Sequence, residues 1–200
     1  AARSKRGRRS GSSASYAVKL LRRDHRAVAQ ALEEFASAEH EEKLSIAQHI
    51  CRMLTVHTQI EEELLYPAAR DALSAEDAHL VPEAHVEHAS VKELIQQIQQ
   101  REEVDEEYAA RVEVMGEYVK YHVSEEENEL FPKLERSSLD LDALGERLEE
   151  RKRELMGEDA ESAHDGPGMQ DEEEKESGMP GGRPRGGRGH RPSAMHARRR

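Results

Sequence analysis

A histidine–glutamate phrase occurs twice in this 200-residue chain. The first copy, HTQIEEELLYP, begins at His57, and the second, HVSEEENELFP, begins at His122. In each copy a glutamate follows the histidine by four residues, at Glu61 and at Glu126. That spacing places both side chains on one face of an α-helix, about one turn apart. Imidazole and carboxylate groups on a shared helix face are typical of metal coordination.

More histidines lie on apolar stripes whose members are three or four residues apart, which is the period of an amphipathic helix. Four long helices are predicted from these stripes, and the alternation typical of strands is absent. Each stripe carries at least one histidine: His25 in the first helix, His57 in the second, His85 or His88 in the third, and His122 in the fourth.

Carboxylates on buried stripes need a partner. Burial of a lone carboxylate costs several kcal/mol unless it is paired or bound to a metal. A single histidine on an apolar stripe is typical of an ordinary core histidine, and a metal-free histidine core remains an alternative. One histidine per helix, combined with the repeated phrase, favours a metal centre.

The ligand types favour a particular class of metal. Mixed imidazole and carboxylate ligands from four helices suit a di-iron or di-manganese pair. Bundle carboxylate enzymes use Glu-x-x-His, whereas here the histidine precedes the glutamate. A structural zinc site needs only four ligands, often thiolates. Iron is therefore predicted, with manganese or zinc as lesser alternatives.

Composition and charge divide the chain into three parts. Residues 1–14 are predicted to form a disordered basic arm, residues 15–157 a four-helix bundle, and residues 158–200 a disordered tail, acidic and then basic. The formal net charge is −12, and the negative charge is concentrated in the bundle. An acidic body repels nucleic acid phosphates, so only the basic tails are left for weak contacts with such a partner.

Short connections favour antiparallel neighbours in the bundle. They are expected at about 37–43, 71–80 and 101–106, which gives an all-α, up-down-up-down four-helix bundle. A short extra helix is expected at about 141–156. The oligomeric state is left open.

Cysteine content and hydropathy bear on the compartment. The single cysteine, Cys51, is interpreted as a buried bystander and fits a reducing compartment. No apolar run is long enough for a membrane span, and no secretory signal is recognisable. A cytoplasmic protein without membrane contact is predicted.

Four segments resemble the hemerythrin-like, HHE cation-binding family. They are LRRDHRAV at 21–28, HTQIEEELLYP at 57–67, EAHVEHASVKELI at 83–95 and HVSEEENELFP at 122–132, and the likeness extends over about 17–135. The resemblance implies a four-helix bundle with a non-haem di-iron centre. It implies as metal ligands His25, His57, Glu61, His88, His122 and Glu126, with the two glutamates bridging the irons.

The chain departs from the oxygen-carrying hemerythrins at two points. Those proteins have a third-helix pair spaced His-x-x-x-His, whereas Ala84 occupies the corresponding position here and the extra histidine is His85. His85 is three residues from His88, on the same helix face, and is predicted as a further ligand. The carriers also place the fourth-helix carboxylate five residues after its histidine, at Glu127 here. Glu126 is favoured because its spacing repeats that of Glu61.

The residues beside the predicted ligands are given supporting roles. Glu127 and its counterpart Glu62 are expected to accept hydrogen bonds from ligand imidazoles. The aromatic–proline endings of the two phrases, Tyr66-Pro67 and Phe131-Pro132, are expected to be structural, with the aromatic ring closing the end of the bundle and the proline bending the helix.

Two functions at this centre follow from the resemblance. The first is binding of a small diatomic such as O₂ or NO at an open iron position, for carriage, storage or sensing. The alternative is an enzyme, either a di-iron oxidase or ferroxidase or one that detoxifies peroxide or NO. If His85 is not a ligand, a second open position favours chemistry over reversible binding.

Overall fold

The computed structural model describes residues 14–162, and all of its regular structure there is helical. Seven α-helices and two short π-helices follow in order: α1 (Tyr16–Ser37), α2 (His40–Ile60), π1 (Glu61–Leu65), α3 (Tyr66–Ala72), α4 (Leu80–Gln99), α5 (Glu106–Glu125), π2 (Glu126–Leu130), α6 (Phe131–Arg136) and α7 (Leu141–Ser162). The predicted basic arm and C-terminal tail lie outside the described residues, apart from Ala14 and 158–162.

The nine elements form five continuous rods, because α2, π1 and α3 follow one another without a break, as do α5, π2 and α6. Four of these rods close a ring: α1 packs on α2, α2 on α4, α4 on α5, and α5 on α1. The all-helical prediction is confirmed. The ring agrees with a four-helix bundle, and the up-down-up-down order stays a prediction from the short connections.

The fifth rod, α7, is longer and more deeply packed than the sequence predicts. It has 22 residues and extends beyond the predicted end at 156. It packs on α1, α2 and π1 through four buried leucines, Leu141, Leu144, Leu148 and Leu155. Their spacing of three, four and seven residues is an amphipathic stripe. The surrounding glutamates and arginines obscured that stripe in the sequence.

The core consists of two apolar clusters. One contains Leu21, Ile60 and Leu148, and the other contains Val28, Leu54 and Met115. Along α1, the first cluster ends at Leu21 and the second begins at Val28, so His25 lies between them. The other rods of the ring show the same division, and the buried polar residues of the protein therefore occupy a layer between two hydrophobic blocks.

Two further expectations can be compared with the described residues. Cys51 is fully buried, and burial raises the pKa of its thiol to about 11, which agrees with an unreactive bystander. No helix within residues 14–162 combines the length and the hydropathy that a bilayer crossing requires.

Close approach of α1 and α7 generates a stability prediction at Gly145. A Cβ atom there would lie 2.6 Å from the backbone nitrogen of Ala17 and 2.7 Å from Cδ1 of Tyr16. We expect Gly145→Ala to lower the free energy of unfolding by about 1–3 kcal/mol, because the helices must separate. Urea denaturation monitored by circular dichroism measures this loss.

Gly157 on the same helix is the matched control. A Cβ atom at this position meets nothing within 4 Å. Gly157→Ala should raise the stability by up to about 1 kcal/mol through helix propensity alone. Equal stabilities of the two alanine variants would contradict the close packing of α1 and α7.

Candidate metal centre

The two copies of the phrase leave α-helical geometry at the same point. Helix α2 becomes π1 at Glu61, and α5 becomes π2 at Glu126. Each wide turn is followed by a proline at the start of the next helix, Pro67 or Pro132. Proline has no N–H group to bond the carbonyl four residues before it, so the α-helical pattern cannot continue there. π-turns of this kind occur frequently at functional sites.

Six side chains converge in the layer between the two apolar clusters. Their potential ligand atoms form two groups, within each of which all atoms lie within 4.8 Å of one another. The first group is His25, His57, Glu61 and Glu126, and the second is Glu61, His88 and His122. All six residues are buried, none more than 5% exposed.

Each glutamate lies between the Nε2 atoms of two imidazoles. Oε2 of Glu61 is 3.3 Å from His57 Nε2 and 3.4 Å from His88 Nε2. Oε2 of Glu126 is 3.4 Å from His25 Nε2 and 3.6 Å from His122 Nε2. Four nitrogens and two carboxylates therefore face one small volume.

Several of these inward atoms have no hydrogen-bond partner within residues 14–162. They are Nε2 of His25 and of His57, both carboxylate oxygens of Glu61, and Oε2 of Glu126. Buried polar atoms without partners cost about 1–3 kcal/mol each, and more when charged. A cation between them would satisfy all of these atoms at once, so the donor set fits a metal centre.

The pKa values of the cluster are shifted by burial and by the charges of its own members. Burial and the negative charge of Glu126 raise the pKa of Glu61 well above its ordinary value. Burial opposes ionisation of Glu126 too, but His122 and His25 outweigh it and hold the pKa of Glu126 below its ordinary value. Burial lowers the pKa of His57 to about 4, so its imidazole is neutral at pH 7, the form that binds metals.

An outer layer of carboxylates orients three of the imidazoles. Glu127 Oε1 is 2.9 Å from His25 Nδ1, and Glu62 Oε1 is 3.1 Å from His88 Nδ1. These two contacts confirm the hydrogen bonds expected of Glu127 and Glu62. Glu87 Oε2, which the sequence interpretation missed, is 2.7 Å from His122 Nδ1. An ionised carboxylate can only accept, so in these contacts Nδ1 is the donor and Nε2 is the nitrogen that faces the glutamates of the cluster.

His85 is the one predicted ligand that the structure does not bring into either group. Its half-buried ring packs edge-on against Tyr66, with 5.1 Å between the ring centroids. The intervening tyrosine separates His85 from the convergent nitrogens, whereas Ala84 at the position before it is buried in an apolar cluster.

Tyr66 is a member of the polar cluster that the sequence interpretation treated only as a plug. Its hydroxyl donates a hydrogen bond to Glu126 Oε1 at 3.1 Å and lies 3.1 Å from His88 Nε2. Its counterpart Phe131 has no hydroxyl and stacks on His25, with 5.9 Å between ring centroids. The tyrosine–phenylalanine difference between the two phrases was the signal available in the sequence.

A small cavity adjoins the imidazoles on the side of the apolar cluster that contains Val28 and Leu54. Its volume of about 10 Å³ is room for one water-sized molecule. All four clustered histidines contribute to its lining, and aliphatic side chains, among them Val28, Leu54, Val91 and Val119, close it. The space next to the candidate metal position is therefore apolar and admits only very small molecules.

Glu61 belongs to both groups, so its removal should affect the whole centre. In wild type, a metal at about 100 times its Kd should raise the free energy of unfolding by about 3 kcal/mol. We expect Glu61→Gln to lose most of this gain, while the metal-free variant is no less stable than metal-free wild type, because its carboxylate oxygens have no partners there. Thermal unfolding with added ferrous iron and with a chelator measures both effects.

Glu63 supplies the control, since it is exposed and paired with Arg151 at 2.8 Å. Glu63→Gln should keep the full stabilisation by metal. Metal stabilisation of Glu61→Gln equal to that of Glu63→Gln would contradict the assignment.

Comparisons with known proteins agree with this geometry. Residues 16–163 match the model of the hemerythrin HHE cation binding domain. A crystal structure of an HHE cation binding domain-containing protein from Mycobacterium kansasii aligns with a TM-score of 0.62 and 20% identity over 76% of this chain and 93% of that chain, a likeness of fold.

A curated relative, described as a DNA nickase from Nostoc sp. (strain PCC 7120), is 30% identical over 113 residues. The matched segment is 56% of this chain but only 31% of the nickase, so the chain spans about a third of that relative's length. The family prediction is confirmed by the domain match, which includes all six clustered side chains. This chain, with a histidine–glutamate cluster able to hold metal, belongs to the hemerythrin HHE cation-binding domain family.

Proposed function

We propose that the chain binds two iron ions in the buried cluster and uses them to bind a small diatomic, O₂ or NO, for carriage, storage or sensing. The observation that carries the proposal is the set of unpartnered inward atoms on His25, His57, Glu61 and Glu126. The charge of two cations of +2 would be balanced in part by the negative charges of the Glu61 and Glu126 carboxylates. Iron suits the mixture of imidazole and carboxylate ligands, with manganese or zinc as lesser alternatives.

The proposed ligands divide into two pairs of imidazoles with the two glutamates between them. His25 and His57 belong to the first metal position, and His88 and His122 belong to the second. Glu61 contributes to both groups, and Oε2 of Glu126 lies between His25 and His122, so both carboxylates are suited to bridging. A ferrous pair would supply the electrons for binding O₂.

The chain's own residues control what reaches the proposed metals. The apolar cavity of about 10 Å³ accepts a diatomic by size, and its aliphatic wall gives no hydrogen bond to water. The Tyr66 hydroxyl is a neutral donor inside the centre: it bonds Glu126 and lies within hydrogen-bond distance of His88. These features favour a small, weakly polar ligand.

An enzyme at the same centre is the second candidate, and the position of His85 favours it. With His85 outside both groups, four imidazoles serve two metals. Fewer protein ligands leave more open positions, and open positions favour chemistry over reversible binding. A di-iron oxidase or ferroxidase, or an enzyme that removes peroxide or NO, would use these positions.

The activity named for the Nostoc relative is not part of the proposal. The likeness to that nickase covers only 31% of its length. The bundle of the present chain also holds most of the protein's negative charge, which opposes contact with DNA phosphates.

Oxygen cycling separates the two candidates. We expect protein loaded with ferrous iron without oxygen to gain a visible absorption band when O₂ is admitted and to lose it when O₂ is removed. A one-way change to a diferric form would favour the enzyme instead. Loading without any iron-dependent band would contradict both and would favour a metal-free histidine core.

Tyr66→Phe tests the tyrosine, because it removes the hydroxyl but keeps the ring. We expect the iron-dependent band to shift and chelators to remove iron faster, since Glu126 and His88 each lose a polar neighbour. Hydrogen bonds to charged groups contribute about 1.5–3 kcal/mol, so iron release should accelerate by about tenfold or more.

Tyr108→Phe is the matched control, since Tyr108 is equally buried but its hydroxyl has no hydrogen-bond partner in the described part of the chain. This variant should leave the spectrum and the iron release unchanged. An unchanged spectrum in Tyr66→Phe would remove Tyr66 from the proposed centre.

A further inference from the structure

Helix α7 contributes a cation to the layer behind the metal ligands. Nζ of Lys152 lies 2.6 Å from Oδ1 of Asp24, the residue before His25. Asp24 is only 7% exposed, and its other oxygen, Oδ2, points toward Nδ1 of His57. The carboxylate of Asp24 therefore lies between Lys152 of α7 and His57 of α2.

His57 differs from the other three clustered histidines in this outer layer. The Nδ1 atoms of His25, His88 and His122 are 2.9, 3.1 and 2.7 Å from a carboxylate oxygen. Nδ1 of His57 is 3.9 Å from Asp24 Oδ2, which is too long for a hydrogen bond. Both atoms are buried, and neither has a hydrogen-bond partner within the described ranges. Two complementary groups thus face each other across a gap that a small movement would close.

A lysine beside a carboxylate does not by itself open such a gap. Lys92 Nζ is 2.6 Å from Oε2 of Glu62, and Glu62 still lies 3.1 Å from His88 Nδ1. The Lys92 side chain is 45% exposed, so it can follow its partner. The Lys152 side chain is 23% exposed, less than that of Lys92.

Helix α7, which carries Lys152, is held against the bundle by apolar packing and by polar contacts. Its leucine stripe is buried against α1. Arg151 pairs with Glu63 of π1 at 2.8 Å, and Glu149 accepts a hydrogen bond from Tyr16 of α1. Lys152 therefore keeps its position, and the carboxylate of Asp24 is oriented toward it.

We propose that Lys152 is a positioning residue of the metal centre. By holding Oδ1 of Asp24, it keeps Oδ2 short of His57 Nδ1 and leaves His57 as the clustered imidazole without a carboxylate hydrogen bond. A carboxylate bonded to Nδ1 fixes the ring and makes Nε2 a stronger donor, and such partners change metal affinity by about 10–100-fold. Helix α7 thereby weakens the hold of His57 on its metal.

This inference rests on the proposed metal centre, but its structural part can be measured without metal. Lys152→Met keeps the aliphatic length of the side chain and removes the charge. In a crystal structure of the metal-free full chain, we expect the distance between Asp24 Oδ2 and His57 Nδ1 to contract from 3.9 Å to a hydrogen bond of about 2.8–3.1 Å. Lys152→Arg, which restores the cation, should keep the gap open.

The functional part is measured on protein loaded with ferrous iron under anaerobic conditions. Chelator-driven iron release from Lys152→Met should be about tenfold slower than from wild type, and the reduction potential of the centre should fall, because His57 becomes the stronger donor. Lys152→Arg should behave as wild type does. Lys133→Met is the matched control, since the Lys133 side chain is 24% exposed, much like that of Lys152, and its ion pairs with Asp77 and Glu129 do not involve Asp24.

Two results would overturn the inference. One is a distance that stays near 3.9 Å in Lys152→Met, and the other is iron release that slows equally in Lys133→Met. Absence of iron uptake by wild type would instead refute the proposed function, and the metal-free distance would still decide whether Lys152 positions Asp24.

Discussion

Burial of two carboxylates whose ion-pair partners among the described residues are all histidines is the constraint on which the rest of the structure depends. Glu61 and Glu126 are almost completely excluded from solvent, and three of their four oxygens have no hydrogen-bond partner among the described residues. Such an arrangement is unfavourable on its own. The two apolar clusters on either side supply the stability that lets this layer persist, and the outer carboxylates hold the rings in place.

The centre is built from two similar halves. In each half an acidic residue directly precedes the first histidine, at Asp24 and at Glu87. Each acid lies near the histidine of the next rod, Asp24 near His57 and Glu87 near His122. The halves differ in two respects that matter chemically. One carries a tyrosine where the other carries a phenylalanine, and one has its acid held by a lysine from α7. The nearly symmetric scaffold therefore has two chemically unequal halves.

The helices and most of the polar cluster could be predicted from the sequence, because both follow from the period of an amphipathic helix. His25, His57, His88 and His122 lie on apolar stripes, and a residue on such a stripe must face the interior. The two glutamates follow from the same rule. His85 shows where the rule stops, since spacing gives the face of a helix but not whether a neighbouring ring, here Tyr66, stands in the way.

Contacts between distant elements account for what the sequence did not reveal. The role of Tyr66 depends on His88 and Glu126, which belong to other rods. The role of Lys152 depends on the packing of α7, which the sequence predicted only as a short extra helix. The sequence shows that Asp24 and Glu87 each precede a histidine, but the histidines near their carboxylates, His57 and His122, lie on other helices. A local pattern predicts which way a side chain faces, whereas the residues that it contacts can be found only from the tertiary structure.

The π-turns have a consequence for the register of each rod. Five residues separate Glu61 from Tyr66, and in an α-helix that interval turns a side chain by about 140° away from the starting direction. In π1 the Tyr66 N–H bonds the Glu61 carbonyl, so the two residues lie nearly one above the other and both face the interior. A regular α-helix over the same five positions would instead rotate the phenol toward the neighbouring rods. The wide π-turn is thus what makes a glutamate and a tyrosine occupants of the same site.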